Sequence, residues 1–305
     1  MAAKIGYLLP TRERVMDGQF EAGPLLALAE KAEALGYASI WAGDSLFARA
    51  RHEPLALLTA VAARTRHVEL GTAVMLPALR NPVLLAHQAA TIDRIAEGRL
   101  ILGVGIASDV PNVHDEFDAA GVPFDKRVGR LLEGLRLCRA LWSGERVDWK
   151  GRWEVRGAVM EPTPHRPGGP PIWIGGRVRA ALERTAREFD GWFPTGPDAA
   201  GWGEQWRMLQ DIARAVGRDP AAVTPAIYLT LALDDDAARA DAKVDAFLAR
   251  YYGNRPNIRQ HQTCYAGPAA GAREWIAGYV AEGAQHVVLR VIGDAEEALE
   301  AMAPR

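Results

Sequence analysis

Four short stretches of the chain carry residue types that can do chemistry. Trp41-Ala42-Gly43-Asp44-Ser45 sets a carboxylate and a hydroxyl directly after a glycine that allows close backbone approach. A carboxylate there can accept a hydrogen bond from a ligand N–H or orient a proton donor, and its plainer role is to cap the following loop. Gly103-Val104-Gly105-Ile106-Ala107-Ser108 and Gly71-Thr72-Ala73-Val74-Met75 are rich in small residues that leave room for a planar ring against backbone. Gly103-x-Gly105 lacks the third glycine of the dinucleotide fingerprint, and no acidic residue follows at the expected distance, which disfavours a Rossmann NAD site. Trp173-Ile174-Gly175-Gly176-Arg177 precedes a helical pattern. Free N–H groups beside a guanidinium suit a phosphate, although turn chemistry alone explains both glycines. Arg290 interrupts an apolar run, 287–292. A buried charge must be paired or serve a ligand, so an ion pair with Asp44 and a direct substrate contact both stay open.

Other chemistries find no footing. His87, His114 and His165 have no metal-ligand spacing, and neither HExxH nor a GxSxG elbow occurs. Cys138 and Cys264 are far apart and form no CxxC pair, so a disulfide framework or structural zinc is not expected.

These stretches must be held by something, and the apolar patterning says what. Strands are expected at 4–9, 38–43, 67–75, 99–105, 171–174, 191–194, 224–233 and 286–292, several of them apolar on successive residues, as when both faces are covered. Helical periodicity fills the gaps at 25–35, 54–65, 82–98, 127–142, 179–188, 202–215, 237–252, 270–282 and 295–302. Asn81 followed by Pro82 makes a strong helix start, and Gly98 a stop. Eight β-then-α units without a composition break predict one α/β domain over 1–305, a single (β/α)8 TIM barrel with loop insertions at about 106–126, 143–170 and 253–268. The insertions are expected to act as lids. In such a barrel the reacting groups sit at the C-terminal strand ends, where all four stretches fall. The glycine pair follows the fifth expected strand, however, whereas the usual barrel phosphate site follows the seventh and eighth.

The 305 residues carry a formal net charge of -2 and no long run of one sign, so neither a nucleic-acid nor a membrane-surface partner is expected. No apolar stretch is long enough to span a bilayer and the first residues do not read as a signal peptide, which predicts a cytoplasmic protein.

At this point a family resemblance is legible. The block GTAVMLPALRNPVLLAHQAATIDRIAEGRLILGVG, 71–105, resembles the central signature of the bacterial luciferase-like monooxygenase superfamily. SIWAGDS from Ser39, EFDAAGVPFDKRVGRLLEGLRLCRALWSGE from Glu116, PPIWIGG from Pro170 and DGWFP from Asp190 lie in register with it. The resemblance covers most of the chain, with little of it from about 201 to 265. It implies a barrel holding reduced FMN or the deazaflavin coenzyme F420 at its C-terminal mouth, usually in a homodimer. It also implies a non-prolyl cis peptide between Ala73 and Val74. By position, Asp44, Ala73, Val74, Met75, Gly105, Ile106 and Ala107 would line the ring, and Gly175, Gly176, Arg177 and Thr195 the phosphate end. One departure stands out. Many relatives have a histidine after the strand-two aspartate, where this chain has Ser45. A hydroxyl is a poor base near neutral pH, which argues against alcohol oxidation by that route.

The leading expectation is a flavin-dependent monooxygenase that takes reduced FMN from a separate reductase and uses oxygen on a small organic substrate. Tyr7, Phe47, Trp192 and Tyr251 are its candidate substrate wall. The second expectation is an F420-dependent reductase or dehydrogenase in which Asp44, Ser45 and Arg290 orient or protonate the substrate. The third is a barrel that binds a ligand without catalysis.

Overall fold

The structure, a computed structural model, describes residues 3–253 and 258–304. Its strands are β1 (Lys4–Leu8), β2 (Ser39–Ala42), β3 (Glu69–Thr72), β4 (Leu100–Val104), β5 (Val147–Lys150), β6 (Glu154–Ala158), β7 (Ile172–Ile174), β8 (Gly191–Trp192), β9 (Thr224–Leu233), β10 (Cys264–Gly267) and β11 (His286–Ile292). The helices are α1 (Thr11–Met16), α2 (Gly23–Ala34), α3 (Pro54–Arg64), α4 (Pro82–Ile95), α5 (Pro111–Ala119), α6 (Arg127–Trp142), α7 (Arg179–Glu188), α8 (Ala199–Ala215), α9 (Ala237–Tyr252), α10 (Ile258–His261), α11 (Ala269–Ala281) and α12 (Ala295–Ala301).

Eight parallel strands close a ring in the order β9-β11-β1-β2-β3-β4-β7-β8, with β8 pairing back onto β9. This is a (β/α)8 barrel, and its eight strands are those the apolar runs predict. Every residue of β4 is buried, as a strand covered by the barrel interior on one face and by helices on the other requires. Helix starts follow local chemistry. The Asn81 side chain accepts the Val83 N–H at 2.9 Å ahead of α4, and Glu53 accepts the Ala56 N–H at 2.7 Å ahead of α3.

The barrel interior is packed large against small. Trp41, Ile101, Trp173, Phe193 and Val288 fill it. A methyl group on Gly71 would stand 2.2 Å from the Trp41 ring, and one on Gly191 would stand 2.4 Å from Trp173, so glycine is needed at both places to seat the indoles. Beneath them Trp41 Nε1 donates to Ser39 Oγ at 2.7 Å, and Ser39 Oγ lies 2.7 Å from His286 Nε2. The Ser39 hydroxyl, which accepts from the indole, links it to the His286 ring. Glu69 Oε2 lies 3.9 Å from His286 Nδ1, beyond hydrogen-bond range, while Lys4 holds the other carboxylate oxygen at 2.9 Å.

Burial, aided by the charge of Lys4, pushes the His286 imidazole down to about 3 from its ordinary 6.5. Between about 6.5 and about 3 the unfolded chain holds a proton that the folded chain refuses. The stabilisation is therefore complete above pH 6.5 and is lost as pH falls through that window, with a limiting slope of about 1.4 kcal/mol per pH unit. Urea unfolding from pH 7 to pH 4 should show wild type losing stability faster than His286→Gln; parallel curves would refute the assignment.

Several elements lie outside the expected pattern. The 143–170 insertion contains the antiparallel β5–β6 hairpin, which packs outside α6 with the Arg130 guanidinium 5.0 Å from the Trp153 ring. No residue of this insertion lines the cavity at the barrel mouth. The 106–126 insertion folds into α5 and does line that cavity. In the 253–268 insertion, 254–257 lie outside the described residues, and Ile258 and Gln262 line the cavity. Beyond them β10 adds to the C-terminal half of β9, outside the ring. Cys138 and Cys264 are free. Among the described residues no helix is long and apolar enough to cross a membrane.

Candidate active site

The C-terminal strand ends surround a cavity of about 1050 Å³. Of the thirteen residues singled out in the sequence, twelve line it: Asp44, Ser45, Ala73, Val74, Gly105, Ile106, Ala107, Gly175, Gly176, Arg177, Thr195 and Arg290. Met75 does not. Its N–H donates to the Gly103 carbonyl at 2.8 Å and its own carbonyl accepts the Gly105 N–H at 2.9 Å, knitting the end of β3 to β4. That pairing turns the Met75 side chain outward, fully buried in the core between the barrel and α4 and α6. The peptide between Ala73 and Val74 is cis.

The slot between the β3 and β4 ends is shaped by what is missing from it. A methyl group on Gly105 would sit 2.7 Å from Val74 Cγ2, so the glycine keeps the cleft open. Two residues on, Ala107 has φ +67°, a left-handed conformation that L residues other than Asn and Asp seldom adopt.

Asp44 and Ser45 stand at the wall, but both are engaged. Asp44 Oδ2 accepts the Leu76 N–H at 2.9 Å and Arg80 Nη1 at 2.6 Å, and Oδ1 accepts Arg80 Nη2 at 3.1 Å. The partner of Asp44 is thus Arg80, not Arg290. Ser45 Oγ donates to Glu116 Oε1 at 2.5 Å and accepts the Arg49 N–H at 2.8 Å. The same Glu116 oxygen takes the Phe47 and Ala48 N–H groups at 2.7 and 2.8 Å, so one buried carboxylate from α5 fixes the loop after β2.

On the β7 side, Gly175 and Gly176 lead through Arg177 and Val178 into α7, whose first N–H groups have no intrahelical acceptor. Gly176 has φ +114°, a conformation reserved for glycine. Arg177 and Arg184 both face the cavity, and neither makes an ion pair or side-chain hydrogen bond among the described residues. Arg184 Nε is buried without a partner. Donors left open at a helix N-terminus suit an anionic group.

Across the mouth, Arg290 is 2% exposed. Its Nε and Nη2 donate to Thr230 Oγ1 at 3.1 and 2.9 Å, and Nη1 donates to Tyr252 OH at 3.0 Å. Phe247, Tyr251, Tyr228 and Tyr252 surround its Cζ at 4.9, 4.8, 5.4 and 5.6 Å. Of the expected aromatic wall only Tyr251 is present. Tyr7 and Trp192 are buried in the packing between barrel and helices, and Phe47 points to solvent at 66% exposed.

The profile of the luciferase-like monooxygenase family matches residues 3–304. The chain belongs to this family. By family it is an oxidoreductase. Over 247 residues this luciferase-like chain is 32% identical to an F420-dependent glucose-6-phosphate dehydrogenase of Mycolicibacterium gilvum, covering 76% of this chain and 70% of that one. Among solved structures, a monooxygenase from Streptomyces bottropensis superposes with TM-score 0.81 at 24% identity, covering 98% of this chain and 96% of that one. The F420-dependent tetrahydromethanopterin reductase of Methanopyrus kandleri superposes with TM-score 0.79 at 18% identity, covering 99% and 98%. These two share the luciferase-like fold with the chain.

Sequence reasoning misses Arg51, Arg184, Glu116, Tyr228 and Tyr252, all of which line the cavity. A signal for Arg184 exists. It stands three residues after Ala181 within the helical pattern 179–188, on the same helix face. Arg51 and Glu116 sit in a loop and a short helix with no periodicity to aim them.

Proposed function

We propose that the chain is an F420-dependent oxidoreductase working by hydride transfer, most simply as a reductase of a small organic substrate. The observation that carries this reading is the likeness to F420-dependent dehydrogenases over three quarters of the chain. It favours the deazaflavin over the reduced FMN that the motifs alone put first. The cavity fits such a group: Gly105 keeps the cleft clear where a Cβ would meet Val74, and the orphaned Arg184 Nε waits at the end where an anionic tail would lie. When bound, the deazaflavin supplies a carrier that gives or takes hydride without oxygen.

In this reading the chain's own residues bind, orient and exclude water. Gly105, Ile106 and Ala107 offer backbone to one edge of the ring, and Val74 supports its face. Arg177, Arg184 and the α7 N-terminus hold the phosphorylated tail. Ser45, tied to Glu116, cannot act as the imidazole acid–base group of an alcohol dehydrogenase, which argues against an alcohol–carbonyl couple served at that position in either direction. A separate enzyme would supply the reduced cofactor.

Titration with F420 and with FMN, in both redox states, tests the assignment through cofactor fluorescence. F420 should bind tightly and FMN weakly, and Arg184→Gln should weaken F420 binding by about tenfold, the worth of one charge-assisted hydrogen bond. Tight binding of reduced FMN alone would instead favour the monooxygenase reading, and binding of neither would favour a non-catalytic barrel.

A further inference from the structure

Among the described residues five arginines line the cavity, Arg49, Arg51, Arg177, Arg184 and Arg290, against two carboxylates, Asp44 and Glu116. Both carboxylates are already committed to donors of the scaffold. The proposed cofactor tail accounts for Arg177 and Arg184. It leaves unexplained the group on the arc of the mouth from β11 to β2, where Arg51 and Arg290 meet Tyr251 and Tyr252.

Three features of this arc point to an anion as its ligand. First, no carboxylate comes within ion-pair distance of Arg12, Arg51 or Arg290 among the described residues, and Glu13 acts on all three only from longer range. The segment 253–263 cannot supply one either, because its sequence contains no Asp or Glu. Second, the donors exceed the acceptors. Arg290 has five N–H donors, three of which go to Thr230 and Tyr252, leaving two. Arg51 Nε donates to the Arg49 carbonyl and Nη2 to Tyr251 OH, both at 2.9 Å, while Nη1 has no partner among the described residues. Third, the chain has made room for this crowding. A methyl group on Gly43 would lie 2.0 Å from Arg51 Nη1 and would displace the guanidinium from its present position. Arg12, stacked 4.7 Å from the Tyr251 ring and hydrogen-bonded to the Tyr251 carbonyl at 2.9 Å, backs the cluster. Burial pushes the Arg12 guanidinium down to about 10, with Arg51 and Arg49 adding to the fall.

Ring faces and hydroxyls can disperse positive charge but cannot neutralise it. We propose that Arg51 and Arg290 form the receptor for an oxyanion of the substrate, a carboxylate or a phosphate ester, so that the enzyme acts on acidic substrates. Tyr251 and Tyr252 aim the two guanidiniums, and the remainder of the substrate extends from them toward the slot. This rests on the reading of the cavity as a cofactor and substrate site, and it is tested separately from it.

The test is calorimetric titration of the full chain, saturated with F420, with inorganic phosphate and with benzoate. Saturation removes the α7 end as a competing anion site. At least one probe should bind, and Arg51→Gln and Arg290→Gln should each weaken it at least about tenfold while F420 affinity stays the same. Phosphate alone marks a phosphate ester as the substrate group, and benzoate alone a carboxylate. Circular dichroism checks folding; should Arg290→Gln not fold, Arg51→Gln carries the test. No binding of either probe, or binding indifferent to Arg51→Gln, overturns the proposal while leaving F420 binding untouched. If F420 itself does not bind, the titration is run in Arg184→Gln, where anion binding that depends on Arg51 upholds the receptor although the cofactor reading has fallen.

Discussion

Asp44→Ala will cost the folded chain about 3 kcal/mol, more than a surface carboxylate is worth by severalfold. The side chain of Asp44 is 4% exposed and ties Arg80 to the end of β2 while accepting the Leu76 N–H. Alanine leaves a guanidinium whose side chain is only 17% exposed with Glu53 as its one remaining carboxylate, and orphans a backbone donor. The cost sits at the low end for breaking a buried pair because Glu53 stays within 2.9 Å. Asp44→Asn, which can still accept the Leu76 N–H, should recover part of the loss. Urea denaturation of the three proteins measures it. A loss below about 0.5 kcal/mol for alanine would mean that Asp44 is not an anchor of the mouth. The residue types alone suggest the opposite balance, a carboxylate whose loss harms turnover and spares the fold.

The second large effect concerns the cofactor. Gly105→Leu should leave the chain folded and reduce F420 affinity on the order of 100-fold, about 2.7 kcal/mol. Gly105 lies outside the left-handed region, so its backbone tolerates a side chain. The space does not. A methyl group placed on Gly105 would meet Val74 Cγ2 at 2.7 Å and Leu76 Cδ2 at 3.9 Å, and the longer leucine must turn into the cleft. Gly105→Ala should show a smaller loss, since Val74 can give way by a rotamer. Unchanged F420 titration curves in Gly105→Leu, with an unchanged thermal midpoint, would remove the slot from the cofactor site.

Much of the fold is legible because parallel barrel strands are buried on both faces. Their apolar runs, such as 100–104, separate cleanly from helical periodicity. The short helices and edge strands are not legible on those terms. The α5 helix begins at Pro111 inside a polar stretch, and the β5–β6 hairpin carries exposed charged residues between Trp149 and Val155. The site divides along a similar line. Glycines and small residues at strand ends advertise a cleft locally, and they lead directly to the residues that line the slot. Partnerships are set by tertiary distance. Asp44 and Arg80 are 36 residues apart, Ser45 and Glu116 71 apart, and Arg51 and Tyr251 200 apart, so only the closed barrel brings them together. Met75 shows the converse error: the family resemblance puts it, by position, at the ring, whereas the alternation of facing along an extended chain sends it outward.

The indoles under the mouth have a use beyond filling space. Trp41 and Trp173 pack against Phe193, which itself borders the cavity, with ring centroids 4.9 Å and 5.9 Å away. Under the proposed cofactor reading, an oxidised isoalloxazine or deazaflavin held in this cavity would absorb in the near ultraviolet, where indole emits. Resonance energy transfer over so short a span is efficient, so tryptophan emission would dim on docking. The native chain would thereby carry a built-in, label-free gauge of its own occupancy.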